Sequence, residues 1–161
     1  MPDLETSRLR LHALTAEEAE ALHAGCLPDG WVYADGYPLP DTKDGVGLFL
    51  RHGNCEYGFH FVIRQEDGQV IGEIGFVEPP QGESVTIGYA IVPSARRRGY
   101  ATEAIVAVTE WSLAQQDVTQ VRAQTLPDNE PSIRALRSAG FEEDEPGPRV
   151  RRFVKEVRPA G

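Results

Sequence analysis

The stretch from residue 85 to residue 125 constrains this chain more than any other. Residues 85–92 are an apolar run of strand composition. Residues 101–115 place Ala101, Ala104, Ile105, Val108 and Trp111 or Ser112 at helical spacing on one face, and residues 118–125 read as a strand again. A strand, a helix and a second strand in that order form a crossover unit, so the two strands are expected to be parallel neighbours. Between the first strand and the helix stands Arg96-Arg97-Arg98-Gly99-Tyr100-Ala101-Thr102-Glu103. The first N–H groups of a helix have no intrahelical partner, and the helix dipole adds positive potential around them. Gly99 lets the backbone come close to a phosphate, Ala101 keeps a side chain out of the way, and the arginines add charge. Three arginines alone would read as a solvated charge cluster. The strand, turn, glycine and helix around them point instead to an anion site. A nucleoside-triphosphate loop is excluded, because the Gly-x-x-x-x-Gly-Lys-Ser/Thr pattern is absent.

The rest of the chain reads as antiparallel. Residues 7–14 alternate Leu9 and Leu11 with Arg8, Arg10 and His12, and Thr15-Ala16-Glu17-Glu18 is a capping box that opens a helix running to about Gly25. Regular periodicity fades from residue 26 to residue 57, apart from a helical turn and a half at residues 46–51, and a long irregular segment in a compact domain is usually a binding loop. Residues 59–64 and 70–77 flank Glu66-Asp67-Gly68-Gln69 as a hairpin. Residues 131–139 form a short helix closed by Gly140, and residues 141–145 and 150–157 flank Pro146-Gly147-Pro148 as a last hairpin. The expected fold is α/β: a mixed, mostly antiparallel sheet of about seven strands with helices on both faces and one parallel strand-helix-strand unit. All of residues 1–161 fit a single domain.

Charge narrows the partners. With 25 acidic against 16 basic residues the formal net charge is −9, which opposes nonspecific binding to nucleic acid or to an anionic membrane and suits an amine-bearing substrate. Cys26 and Cys55 have neither disulfide nor zinc-ligand spacing, and no metal is expected. No run of apolar residues is long enough to span a bilayer, and the opening residues do not resemble a signal peptide, so a cytoplasmic location is expected. No interface patch is marked, leaving a monomer or a homodimer open.

The chain resembles the GNAT superfamily of N-acetyltransferases, and within it the RimJ/RimL-like branch. The resemblance rests on the signature Q/R-x-x-G-x-G/A, met by Arg96, Gly99 and Ala101, and on Ile87-Gly88-Tyr89-Ala90-Ile91-Val92-Pro93 before it. It extends to Asp128-Asn129-Glu130-Pro131-Ser132, to Ala139-Gly140-Phe141 and to the opening Glu5-Thr6-Ser7-Arg8-Leu9-Arg10-Leu11, and so covers nearly the whole length. It implies an enzyme that transfers an acetyl group from acetyl-CoA to a primary amine by direct attack, with a protein N-terminus among the acceptors. Arg96, Arg97, Arg98, Gly99, Tyr100, Ala101 and Thr102 would hold the pyrophosphate. The pantetheine arm would run between residues 85–92 and 118–125, Ile91 and Val92 would offer backbone groups to the arm and thioester, and Asn129 would contact the arm. An N–H near Val92 would stabilise the oxyanion.

The proton donors and acceptors follow less directly. Many relatives carry a tyrosine on the late short helix, but this chain has Leu136 at that place, and Ser132 is the substitute that the branch suggests for protonating the thiolate. Ser132 bonded only to its own helix start is an equally good reading, and helix capping is enough to explain Asn129. A glutamate often precedes the Ile-Gly-Tyr triplet, where this chain has Thr86, so Glu73 or the more distant Glu83 acting through water is as acceptable as a dedicated base. Glu103 fits the first helical turn better. Residues 27–57 and the last hairpin around residues 146–149 should choose the acceptor, with Trp31, Tyr33 and Tyr37 either lining a pocket or pinning the loop. Isolated His52 and His60 read as structural. Two alternatives stay open: acetylation of a small amine such as an aminoglycoside or polyamine, and a CoA-binding regulatory module without turnover.

Overall fold

The computed structural model of the chain describes residues 1–52, 57–145, 147 and 149–157. In chain order the elements are β1 (Leu4–Glu5), β2 (Leu9–Ala13), α1 (Ala16–His23), β3 (Val32–Tyr33), α2 (Thr42–Arg51), β4 (Phe59–Arg64) and β5 (Gln69–Phe76). They continue as β6 (Ser84–Ile91), a 3-10 turn (Pro93–Ala95), α3 (Tyr100–Leu113), β7 (Gln120–Thr125), α4 (Glu130–Ser138), β8 (Glu142–Glu143) and β9 (Arg151–Glu156). The strands form one sheet in the order β1-β2-β4-β5-β6-β7-β9-β8, with β3 beside β5.

The parallel pair of the crossover unit is β6 and β7, with α3 between them in sequence. The expectation that all other pairing is antiparallel fails once, because β3 runs parallel to β5. β6 pairs with β5 only over Gly72–Phe76, so the edge of Gln69 and Val70 is free to take Val32 and Tyr33. β1, which folds back on β2, is a second strand without a clear period in the sequence.

Helix ends follow the expected chemistry. Thr15 and Glu18 close a capping box on α1. Gly140, at φ 89°, ends α4 with Gly140 N–H bonded to the Arg137 carbonyl and Phe141 N–H to the Leu136 carbonyl, a Schellman arrangement. α2 is ten residues long, well beyond the expected 46–51. Its two glycines weaken any helical signature in the sequence, yet they are what lets the helix pack. A Cβ on Gly45 would lie 3.1 Å from Phe59 Cε2, and one on Gly47 would lie 3.2 Å from His23 Cε1.

Two layers of helix cover the sheet. Glu73 stands opposite Ala90 while Ile74 stands opposite Tyr89, and cross-strand partners share a face, so Glu73 and Tyr89 project from opposite faces. Glu73 bonds Thr42 of α2, and Tyr89 bonds Ser132 of α4. The first face therefore carries α2 with α1 packed on it, and the second carries α4 with α3. Leu9, Leu11, Phe61, Ile74, Ile105, Leu136 and Phe153 are among the fully buried side chains of the core. No helix among the described residues is long and apolar enough to cross a membrane.

Candidate active site

The backbone around Gly99 takes the shape of an anion cradle. Arg97 at φ 64° and Gly99 at φ 80° are both left-handed, on either side of Arg98. For arginine that conformation is strained; for glycine it costs little. The first hydrogen bond of α3 runs from the Glu103 N–H to the Gly99 carbonyl, so the N–H groups of Tyr100, Ala101 and Thr102 have no partner within the helix. No side chain caps this end, whereas Thr15 caps α1 and Asn129 caps α4. Two left-handed residues just ahead of an uncapped helix leave backbone N–H groups of this turn available to an anion. Arg97 and Arg98 are exposed beside it. Arg96 behaves differently: its Nε donates to the Ile91 carbonyl at 2.9 Å, so its side chain folds back on the end of β6.

A wedge opens between β6 and β7 next to this turn. Their registered pairs run from Ser84 opposite Gln120 to Ile87 opposite Ala123 and stop there, although β6 continues to Ile91 and β7 to Thr125. The Val77 N–H bonds the Thr86 carbonyl and the Val92 N–H bonds the Ile71 carbonyl, both on the β5 side. Backbone direction alternates along a strand, so the N–H and carbonyl groups of Tyr89 and Ile91 point the other way, into the wedge. Of the two residues expected near the thioester, the Val92 N–H is held by the sheet, and the Ile91 N–H faces the opening.

On the α4 side, Tyr89 and Ser132 meet. Their hydroxyl oxygens are 2.6 Å apart. The Ser132 N–H donates to Asn129 Oδ1 at 3.3 Å, so Asn129 is the helix cap, and the Ser132 hydroxyl bonds Tyr89 rather than its own helix start. Burial raises Tyr89 to about 12 and the Ser132 contact opposes this, so the phenol keeps its proton at neutral pH. Leu136 is fully buried, and its place belongs to the core. In the sequence Tyr89 stands out only as part of a motif; its meeting with Ser132 joins two residues far apart in the chain.

On the opposite face lies a carboxyl group in an apolar setting. Glu73 is buried, accepts a hydrogen bond from Thr42 Oγ1 and comes within 3.7 Å of the position a Cβ on Gly45 would take. Burial pushes its pKa up to about 7 and nearby Asp41 adds to the rise, while Thr42 and Tyr37 pull it down. The Tyr37 hydroxyl is buried beside this group without a hydrogen bond of good geometry. Thr86, where relatives often carry a glutamate, donates to Glu78 at 3.0 Å. Glu83 is not brought to this place. It is exposed, just before the first residue of β6 and eight positions from Ile91, about 26 Å along an extended strand.

The aromatic residues of the irregular segment mostly pin it down. Trp31 packs edge-on against Phe61 and donates from Nε1 to Glu18 at 2.8 Å, Tyr33 donates to the Pro28 carbonyl at 2.6 Å, and Tyr33 stacks on Tyr37. A Cβ on Gly36 would lie 3.6 Å from Pro93 Cδ, so this segment reaches the end of β6. His60 is fully buried and held neutral, its pKa pushed down to about 4 by burial. Cys55, Pro146 and Pro148, which fall in the segments expected to choose the acceptor, lie outside the described residues. Among the described residues no cluster of three His, Cys, Asp or Glu side chains could hold a metal ion.

An open parallel pair beside an uncapped helix start is the arrangement of a GNAT fold. Residues 8–142 match the family profile of the acetyltransferase (GNAT) domain. The chain is 30% identical over 150 residues to the uncharacterized N-acetyltransferase YoaA of Bacillus subtilis, covering 89% of this chain and 84% of that one. It is 28% identical over 148 residues to the uncharacterized N-acetyltransferase YjdG of the same organism, covering 86% and 88%. Among solved structures, RimL, a ribosomal L7/L12 alpha-N-protein acetyltransferase in complex with coenzyme A, superposes with a TM-score of 0.70 at 16% identity over 97% of this chain and 98% of that one. The chain belongs to the GNAT family and is an N-acetyltransferase of that family.

Proposed function

We propose that the chain acetylates a primary amine with acetyl-CoA in the wedge between β6 and β7. The observation that carries this reading is the end of the β6–β7 ladder at Ile87 and Ala123, directly beside an uncapped helix start. The donor set fits the cofactor: the unpaired N–H groups of the helix start with Arg97 and Arg98 suit a pyrophosphate, and the backbone of Tyr89 and the Ile91 N–H, beyond the end of the β6–β7 ladder, suit an amide-bearing arm. Acetyl-CoA, when bound, supplies an activated acetyl thioester.

The residues of the chain then divide the work. The amides of residues 98–102 hold the phosphates, and the backbone of Tyr89 and Ile91 aligns the arm. The Ile91 N–H is the donor for negative charge that develops in the wedge, worth about a hundredfold to a thousandfold in rate when well aimed. Glu73 takes the proton of the amine through water, its pKa of about 7 matching neutral pH. Tyr89 is the stronger acid of the hydroxyl pair and donates to Ser132, which leaves the Ser132 proton for the departing thiolate.

Two acceptor classes have support. A protein N-terminus fits the fold similarity to RimL. A cationic small amine fits the net charge of −9 and the exposed Asp29, Asp35, Asp41 and Asp44 of the acceptor segment. A thiol-release assay on panels of N-terminal peptides, polyamines and aminoglycosides separates them, and acceptor-dependent release from one panel is the expected result. Tight acetyl-CoA binding with no release from any panel would favour the regulatory-module reading.

A further inference from the structure

The left-handed conformation at Arg97 requires something to hold it, because a non-glycine residue keeps that geometry only where its surroundings fix it. The constraint comes from the other end of the chain. Arg8 Nη1 donates to the Arg98 carbonyl at 2.8 Å, and Arg8 Nη2 lies 3.3 Å from the position a Cβ on Gly99 would take. The guanidinium covers the Tyr100 ring at 4.5 Å from its centroid. Glu103 in turn fixes Arg8, accepting from its Nε at 2.7 Å and its backbone N–H at 3.0 Å, and it also accepts from Thr6 Oγ1. Burial would raise the Glu103 pKa, but the hydrogen bonds from Thr6 and Arg8 hold it below the usual carboxylate range, so it stays charged.

We infer that Arg8 and Glu103 form a clamp that holds the Arg97–Gly99 turn in its anion-binding shape before any ligand arrives. With the Arg98 carbonyl drawn outward by Arg8, the Gly99 amide must face the opposite way, toward the cradle. Without the clamp, the Arg98–Gly99 peptide flips readily, because glycine tolerates either orientation, and a carbonyl oxygen then faces the incoming phosphate. Both groups are positioning residues, and they give a role to the Thr6-Ser7-Arg8 segment, which the chemistry of transfer leaves unused. The clamp rests on the reading of this turn as the pyrophosphate site.

The sign of one substitution separates positioning from simple charge. Glu103→Gln removes a negative charge beside a polyanion site, so charge alone predicts tighter acetyl-CoA binding. The clamp predicts binding about tenfold weaker, because Arg8 loses its anchor and the turn its fixed shape. Arg8→Lys keeps the charge but loses the fork that spans carbonyl and carboxylate, and should weaken binding as much; combining it with Glu103→Gln should add little. Titration calorimetry with acetyl-CoA on the parent and the three variants gives the ratios. Turnover of acetyl-pantetheine, which lacks the pyrophosphate, should be unchanged in all of them. Binding by Glu103→Gln as tight as the parent's or tighter overturns the clamp and leaves the functional reading intact. A variant that loses acetyl-pantetheine turnover as much as acetyl-CoA affinity overturns it as well, since the damage would then be general. If the parent itself does not bind acetyl-CoA, the proposed function fails and takes the clamp with it.

Discussion

The turn before α3 and the buried cluster around Glu73 lie close to the same end of β6, and they are built in opposite ways. The turn uses backbone groups from consecutive residues, oriented by two left-handed positions and left free by the absence of a side-chain cap. The cluster uses side chains from Tyr37, Thr42 and Glu73, drawn from a loop, a helix and a strand, and its chemistry comes from burial. A site of the first kind is specified by local conformation. One of the second kind exists only after the chain has folded, because removal of water shifts the carboxyl group.

The largest expected effect falls on the buried cluster. Glu73→Gln should lower kcat about a thousandfold, within the usual span for loss of a general base, with little change in the KM for acetyl-CoA. In the parent, kcat/KM should rise with pH through about 7, and the variant should lose that limb. Stability gives the same residue a second signature. A carboxyl raised to about 7 in the fold contributes stability that is complete below its unfolded value and is lost as pH climbs through about 7. At pH 8 the glutamine variant should therefore be more stable than the parent, by up to about 3 kcal/mol, with the gap closing below pH 4 or so in urea titrations. A pH-independent gap would mean that Glu73 does not titrate in this range.

The turn should respond in binding and not in proton transfer. Gly99→Val places a β-branched residue at φ 80°, with its Cβ 3.3 Å from Arg8 Nη2, and acetyl-CoA should bind about a hundredfold more weakly by calorimetry. Circular dichroism must first show an unchanged fold. A well-folded variant that binds as tightly as the parent would remove the cofactor from this turn and dissolve the contrast between the two regions.

The smallest effect belongs to the hydroxyl pair of Tyr89 and Ser132, on the opposite face of the sheet from Glu73. Ser132→Ala should lower kcat about tenfold while acetyl-CoA binding holds, and Tyr89→Phe should cost less than that, since one hydrogen bond to a neutral group is worth about 1 kcal/mol. The double variant should be no slower than Ser132→Ala, because Tyr89 acts through Ser132. Full additivity under conditions where chemistry limits the rate would separate the two side chains and give Tyr89 another role.

Legibility in the sequence tracks how local each feature is. The crossover unit was readable from the periodicity of each of its three segments, and the capping box of Thr15 and Glu18 and the glycine end of α4 because each depends on residues within a few positions of one another. β1 and β3, with two residues each, carry no period, and α2 is obscured by Gly45 and Gly47, which serve its packing on Phe59 and His23. Arg96 was grouped with its neighbours because charge shows in a sequence, whereas the fold-back of its side chain onto Ile91 does not. Glu73 and Glu83 looked alike as candidate bases until the fold buried one and left the other in solvent.

The amino-acid order alone thus settled the α/β crossover, the glycine turn that opens α3 and membership of the acetyltransferase family, all of which show in sequence motifs and periodicity. Tertiary structure decided which backbone amide faces the wedge, because strand register assigns Val92 to β5 and turns Ile91 outward. It also decided which carboxyl group titrates near neutrality and which hydroxyl meets Ser132, since dielectric environment and long-range contact arise only when distant segments exclude water from one another.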